Sequence, residues 1–209
     1  VENLSFGTIT PQELLKHFEI IQENKKFNLD TEEIKISSEL KNRFLALISE
    51  HEFELDRYLE EELKMLFIAP IINSISFSCN GVKPWFERAL RFDFENISLS
   101  GKTDFMLAKG QIEPKNPFFF IQEYKKSIPN GDPKWQVVSE MIVAIESSDS
   151  KEMIGSYIFG QYWHFVMLKK DPNSKYTLAI SQSYDSLKID DLVLIYKNLQ
   201  AVKSLYCKG

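Results

Sequence analysis

The chain has 209 residues, enough for one domain with a sizeable core. Hydrophobic residues make up 44% and charged residues 26%, an ordinary balance for a globular protein, and no apolar run approaches the ~18 residues a membrane-spanning helix needs. The net charge of −5 argues against a protein that coats nucleic acid through phosphate contacts, though not against an enzyme with a local basic patch.

The N-terminal VENLSFGTIT lacks a basic stretch followed by an apolar one, so no signal peptide is expected. Thr10-Pro11-Gln12-Glu13 reads as a helix start, and Leu14, Leu15, Phe18, Ile21 and Ile20 continue it as an apolar stripe. Asp30-Thr31-Glu32-Glu33 begins a second helix or a short linker to one. Ser38 to about Glu50 is helical, with Leu40, Phe44, Leu47 and Ile48 on one face. Residues 1–51 are therefore expected to form a helical arm or cap, and residues 52–209 the core, compact together. From Glu52 to about Ile72 the pattern is one longer helix carrying Leu55, Leu59, Leu63, Leu66 and Phe67, with Ala69-Pro70 bending or ending it.

Strands follow. Ser74–Ser78 is short, Asn80-Gly81 has hairpin-turn chemistry, and Glu87–Asn96 alternates Ala89, Phe92 and Phe94 with charged residues. Lys102–Ala108 and Pro117–Lys125 come next, joined by a loop with Gly110, Pro114, Asn116 and Pro117. In the second, alternation places Phe119, Ile121, Glu123 and Lys125 on one face and Phe118, Phe120, Gln122 and Tyr124 on the other. Both faces begin apolar, which marks a central strand covered on both sides. After a turn at Pro129–Pro133, Lys134–Glu146 is an amphipathic helix with Gln136 and Glu140 four apart. Ser156–Lys169 and Lys175–Ser181 are read as two strands, and Asp190–Leu205 as a last helix. The fold class is α/β or α+β, a mixed sheet flanked by helices. Cys79 and Cys207 make no disulfide framework and fit a reducing, cytoplasmic setting. His17, His51 and His164 lack zinc-ligand spacing.

One juxtaposition carries chemistry. If the Lys102–Ala108 and Pro117–Lys125 strands pair, Asp104 and Glu123 converge beside Lys125, and two carboxylates with a lysine at a strand edge suit a divalent metal and a phosphate. The Glu-x-Lys spacing is not informative alone, since it recurs at Glu23/Lys25, Glu33/Lys35, Glu39/Lys41, Glu62/Lys64 and Glu113/Lys115. Only Glu123/Lys125 closes an apolar strand and follows a Gly-x-x-Asp strand. Plainer roles stay open: Asp104 as a strand cap or a partner of Lys102, Glu123 and Lys125 as an edge ion pair worth ~0–1 kcal/mol, and Glu61 and Gln136 as surface residues. Lys102, Lys109, Lys115, Lys125, Lys126 and Lys134 cluster around this segment, as a basic patch or as a solvated loop surface.

Together these pieces resemble the PD-(D/E)XK nuclease superfamily, the restriction-endonuclease-like fold. Asp104 and Glu123-Tyr124-Lys125 match its two-strand motif, with Gly101-Lys102-Thr103-Asp104 in the Gly-x-x-Asp form and Thr103 in place of the proline of the strict motif. Glu61 to Ile71 looks like the first core helix of the nuclease domains of type I restriction motor subunits, with Lys64 or Met65 standing near the usual arginine. Tyr157 to Phe165 is similar to the Gly-x-x-Trp-x-Phe strand after the site helix, and Gln136 falls where many members carry a site glutamine. The resemblance covers about residues 52–205. It implies a Mg²⁺-dependent DNA endonuclease of restriction or defence type, with Mn²⁺ as a substitute. Asp104, Glu123, the Tyr124 backbone carbonyl and Glu61 would hold metal, Lys125 would serve the attacking water and the phosphate, and Gln136 would orient Lys125, water or phosphate. The implied partners are DNA, a second copy of the chain, and a separate motor or specificity subunit, because no Walker-type phosphate loop is present; no membrane is implied. A nucleic-acid-binding or assembly module with the same fold and no activity of its own is the alternative.

Overall fold

A computed structural model describes residues 2–126, 132–148 and 150–207. The chain builds a nine-stranded mixed sheet in the order β1-β4-β5-β6-β7-β8-β2, with β3 also pairing with β4 and β9 with β7. The strands are β1 (Glu2–Ser5), β2 (Ile20–Gln22), β3 (Val82–Asp93), β4 (Ile97–Lys109), β5 (Lys115–Lys125), β6 (Glu152–Phe159), β7 (Tyr162–Lys170), β8 (Tyr176–Ile180) and β9 (Tyr184–Asp185). The β1–β4, β5–β6 and β2–β8 pairs are parallel and the others antiparallel.

Helices cover both faces. On one lie α2 (Ser38–His51), a π-helical segment (Leu63–Ile68) flanked by α3 (Glu60–Glu62) and α4 (Ala69–Ile72), and α6 (Ile189–Ser204). On the other lie α1 (Pro11–His17) and α5 (Pro133–Glu146). The central strands feed both: Phe105, Leu107, Phe120 and Tyr124 join the first core, Met106, Ala108 and Ile121 the second. Among the described residues no helix is long and apolar enough to cross a membrane.

The helix starts follow local chemistry. Thr10 closes a capping box with Glu13, whose carboxylate accepts from the Thr10 N–H at 2.8 Å, and Pro11 opens α1. Asp132 caps α5 and Pro133 begins it. Of the turn expected at Pro129–Pro133, residues 129–131 lie outside the described residues. Gly155 on β6 lets α5 approach closely, since a Cβ there would come within 2.9 Å of both Met141 Sδ and the Ile121 carbonyl oxygen. Gly101 likewise makes room for the Phe6 ring, 2.6 Å from where its Cβ would stand.

Several expectations are corrected. The first 51 residues are more than a helical arm: α1 stops at His17, Phe18 is extended, and β1 and β2 join the sheet in parallel. The helix expected from Glu52 to Ile72 begins only at Glu60, after a 3₁₀ turn at Leu55–Arg57, and runs as a π-helix through its middle. Ser74–Ser78 is not a strand. Ser156–Lys169 is not one strand but the hairpin β6–β7, turning at Gly160 with φ +58°. In β5 the simple alternation fails because Ala108 pairs with Phe118 and Leu107 with Phe120, leaving Phe119 as a bulge. Phe119 and Phe120 therefore share a core, and Phe118 faces the side of Ile121. Cys79 and Cys207 form a disulfide, with Cα atoms 5.7 Å apart, which removes the ground that unpaired cysteines gave for a cytoplasmic chain.

Candidate active site

The site lies on a row drawn across five strands. β3 pairs Phe86 with Phe105 and Arg88 with Thr103, so Glu87 stands opposite Asp104. β4 pairs Phe105 with Gln122, which sets Asp104 level with Glu123 where the ladder ends. Glu123 pairs with Tyr157 across the parallel β5–β6 ladder, and Tyr157 with His164 across β6–β7. Past the end of the β4–β5 ladder, the Asp104 side chain takes over: its Oδ2 accepts from the Tyr124 N–H at 2.9 Å. Asp104 and Glu123 are thus brought together as expected.

Two lysines reach in. Lys125 Nζ lies 3.1 Å from Glu123 Oε1 and 3.4 Å from Glu60 Oε1. Lys64, on the π-helical turn, lies 2.9 Å from Asp104 Oδ1, 3.3 Å from Glu61, 3.6 Å from Glu60 and 4.0 Å from Glu87. A π turn shifts side chains off the α-helical spacing and recurs at functional sites. Glu61 itself is 78% exposed and touches only Lys64 among these groups, whereas Glu60 bears on both lysines.

Behind Glu123 stands Glu140 of α5. It is fully buried and, among the described residues, neither of its carboxyl oxygens has a hydrogen-bond partner; Glu123 Oε2 and Gln136 Oε1 are likewise buried and unpartnered there. Burial first, then the Asp104 charge, pushes the Glu123 carboxyl well above the usual carboxylate range. Burial first, then the Glu123 charge, does the same to Glu140. Glu87 is pushed up by burial and by Asp104. Burial opposes the charged form of both lysines, but Asp104 and the glutamates beside Lys64, and Glu123 and Glu60 beside Lys125, outweigh it and hold both ammoniums above their ordinary value. Next along the row, His164 stacks on Tyr157 at 4.6 Å, and burial together with Lys26 lowers it to about 4.

The carboxylates outnumber the ammoniums, and the orphaned donors are hard oxygens. That chemistry fits a small divalent cation, which takes one or two carboxylates and keeps its own water. Asp104 and Glu123 are the pair so placed. Among the described residues no group of three or more His, Cys, Asp or Glu side chains is arranged as a ready-made metal cage. Gln136 lies one helical turn from Glu140, and no hydrogen bond joins it to Lys125 among the described residues.

The sequence reading missed Glu60, Glu87, Glu140 and the central place of Lys64. Glu140 left a signal, the lone acid inside WQVVSEMIVAI, a mostly apolar helical run. Glu87 left none: its role depends on β3 register, and its φ of +52°, which is costly for a glutamate, is invisible in sequence. Beside Asp104 opens a cleft of about 410 Å³, walled by Met65, Ile68, Ile72 and Phe86. No protein-family model matches the chain, and no curated protein sequence matches it.

Proposed function

We propose that the protein is a metal-dependent nuclease of the restriction-endonuclease-like fold that hydrolyses DNA phosphodiesters. The observation that carries this reading is the level placement of Asp104 and Glu123 on neighbouring strands, with Lys125 on Glu123 and one Glu123 oxygen left without a partner. Asp104, Glu123 and the Tyr124 carbonyl would hold Mg²⁺, or Mn²⁺ in its place. When bound, such an ion polarises the scissile phosphate and makes a water more acidic. Asp104 is fixed for this by the Tyr124 N–H. Lys125, held protonated by Glu123 and Glu60, acts as a donor that steadies the attacking water and offsets charge on phosphorus, not as the base that takes a proton. Glu60, rather than Glu61, is the helix carboxylate that tunes Lys125. Glu140 backs Glu123 from α5. A second copy of the chain, or a separate motor or specificity subunit, would supply what one active site cannot.

The test is plasmid cleavage with Mg²⁺ or Mn²⁺, wild type beside Glu123→Ala and Lys125→Ala, with EDTA as control. Metal-dependent nicking that both variants lose supports the reading, and cleavage that both retain sinks it. A second reading, a nucleic-acid-binding or assembly module without catalysis, draws on Lys64, whose ammonium already sits on Asp104 as an internal counter-ion. Under that reading the wild type binds DNA, cuts none, and shows no metal-dependent rise in thermal stability.

A further inference from the structure

We infer that the cleft beside Asp104 seats an unstacked nucleobase, which makes single-stranded or frayed DNA the substrate of this site; the inference rests on the nuclease reading and gives it a substrate class. The cleft is about 410 Å³, within the ~300–1,000 Å³ typical of small-ligand sites. Its two ends differ in chemistry. Glu61, Lys64, Glu87 and Asp104, with Tyr124, supply its polar lining, and Met65, Ile68, Ile72 and Phe86 form the apolar wall. Phe86 is 52% exposed and Met65 68% exposed, so two large apolar side chains stand in water at the mouth of a charged site. Phe86 is fixed there by an edge contact with Phe105, ring centroids 5.2 Å apart, and Glu87 follows it in the left-handed conformation.

A paired duplex has nothing to put in this cleft. It presents phosphates and sugars outward and keeps its bases stacked, and an apolar wall against a phosphate would strip water from a charge with no bond in return. An unpaired base next to the scissile phosphate has an apolar π face for Phe86 and for the polarisable Met65 thioether. Asn73, also lining the cleft, carries the donor and the acceptor that a base edge needs.

The experiment compares a labelled single-stranded oligonucleotide with the same strand annealed into a blunt duplex, cleaved in Mn²⁺ by wild type, Phe86→Ala and Met65→Ala. The expected result is faster cleavage of the single strand. Phe86→Ala should raise KM for it about 5- to 150-fold, the equivalent of the ~1–3 kcal/mol of one base–aromatic stack, with kcat changed little. Met65→Ala removes an exposed side chain, so its smaller rise in KM serves as the check should Phe86→Ala misfold. Equal cleavage of the duplex, or KM unchanged in both folded variants, overturns the inference. A second readout separates it from the nuclease reading: a single strand containing 2-aminopurine, mixed with wild type in EDTA, should gain fluorescence as the base leaves its stacked neighbours for the cleft, and Phe86→Ala should abolish that gain. A gain without any cleavage keeps the base site and removes the nuclease, whereas cleavage with no gain does the reverse.

Discussion

Replacing Glu140 by glutamine should stabilise the metal-free protein, and by more as the pH rises. Glu140 is fully buried, among the described residues both its oxygens lack partners, and the charges it meets are those of Glu123 and then Asp104. Its carboxyl is therefore raised in the folded chain from an ordinary value near 4.5. A raised carboxyl means that the folded state binds more protons than the unfolded one above that pH. Stability is then fully present at low pH and lost as the pH climbs towards the folded value, by up to ~1.4 kcal/mol per pH unit for one proton. Glutamine has nearly the same volume and no proton to lose, so the variant escapes this slope. Its amide can also donate to the orphaned Glu123 Oε2, and an unsatisfied buried polar group costs about 1–3 kcal/mol. Urea unfolding in EDTA, followed by tryptophan fluorescence at pH 5, 6 and 7, reads the difference directly. A variant midpoint that exceeds wild type by a widening margin is expected. Parallel curves, or a variant weaker at every pH, would refute the crowding of carboxylates on which the argument depends.

Lys64→Met should weaken the metal-free fold by roughly 2–4 kcal/mol, somewhat under the ~3–5 kcal/mol of a broken buried pair because Lys64 is only partly buried. On the proposed metal site, the same variant should gain more thermal stability from Mn²⁺ than wild type does, since the ion would no longer compete with an ammonium for Asp104; differential scanning fluorimetry with and without Mn²⁺ tests both. The Cys79–Cys207 bond spans 128 residues, so chain entropy assigns it up to ~5 kcal/mol. Cys79→Ser and Cys207→Ser should lower the urea midpoint equally, and a reductant should do so for wild type alone.

The central pair of strands was legible because the chemistry was local: an apolar run turning abruptly into Glu123-Tyr124-Lys125 after Gly-x-x-Asp. The sheet class and the helix start at Thr10 were legible for the same reason, the latter through its cap and proline. What escaped depends on distant segments. Ile20 and Ile21 fit a helical stripe as well as a strand, and only β8 beside them decides for β2. The Phe119 bulge follows from the β4–β5 register and not from anything in FFFIQEYKK. Glu60 competes with Glu61 for the site because it reaches Lys125, 65 residues further along the chain. Cys79 and Cys207 meet only because the end of α6 returns to the entry of β3.

The row from Glu87 through Asp104, Glu123 and Tyr157 to His164 has a bearing on which insertions the chain can accept. Each member belongs to a different strand, and shifting a strand by one residue turns its side chains to the opposite face. A single residue added within β4, β5 or β6 would therefore leave the hydrogen-bonded sheet intact while taking one member out of line. Length changes are better tolerated where strands end, as in the turns at 94–96, 110–114, 160–161 and 171–175. On the nuclease proposal, cleavage then becomes a gauge of alignment: molecules that fold compactly in a slipped register would pass every measure of secondary structure and still lack the row.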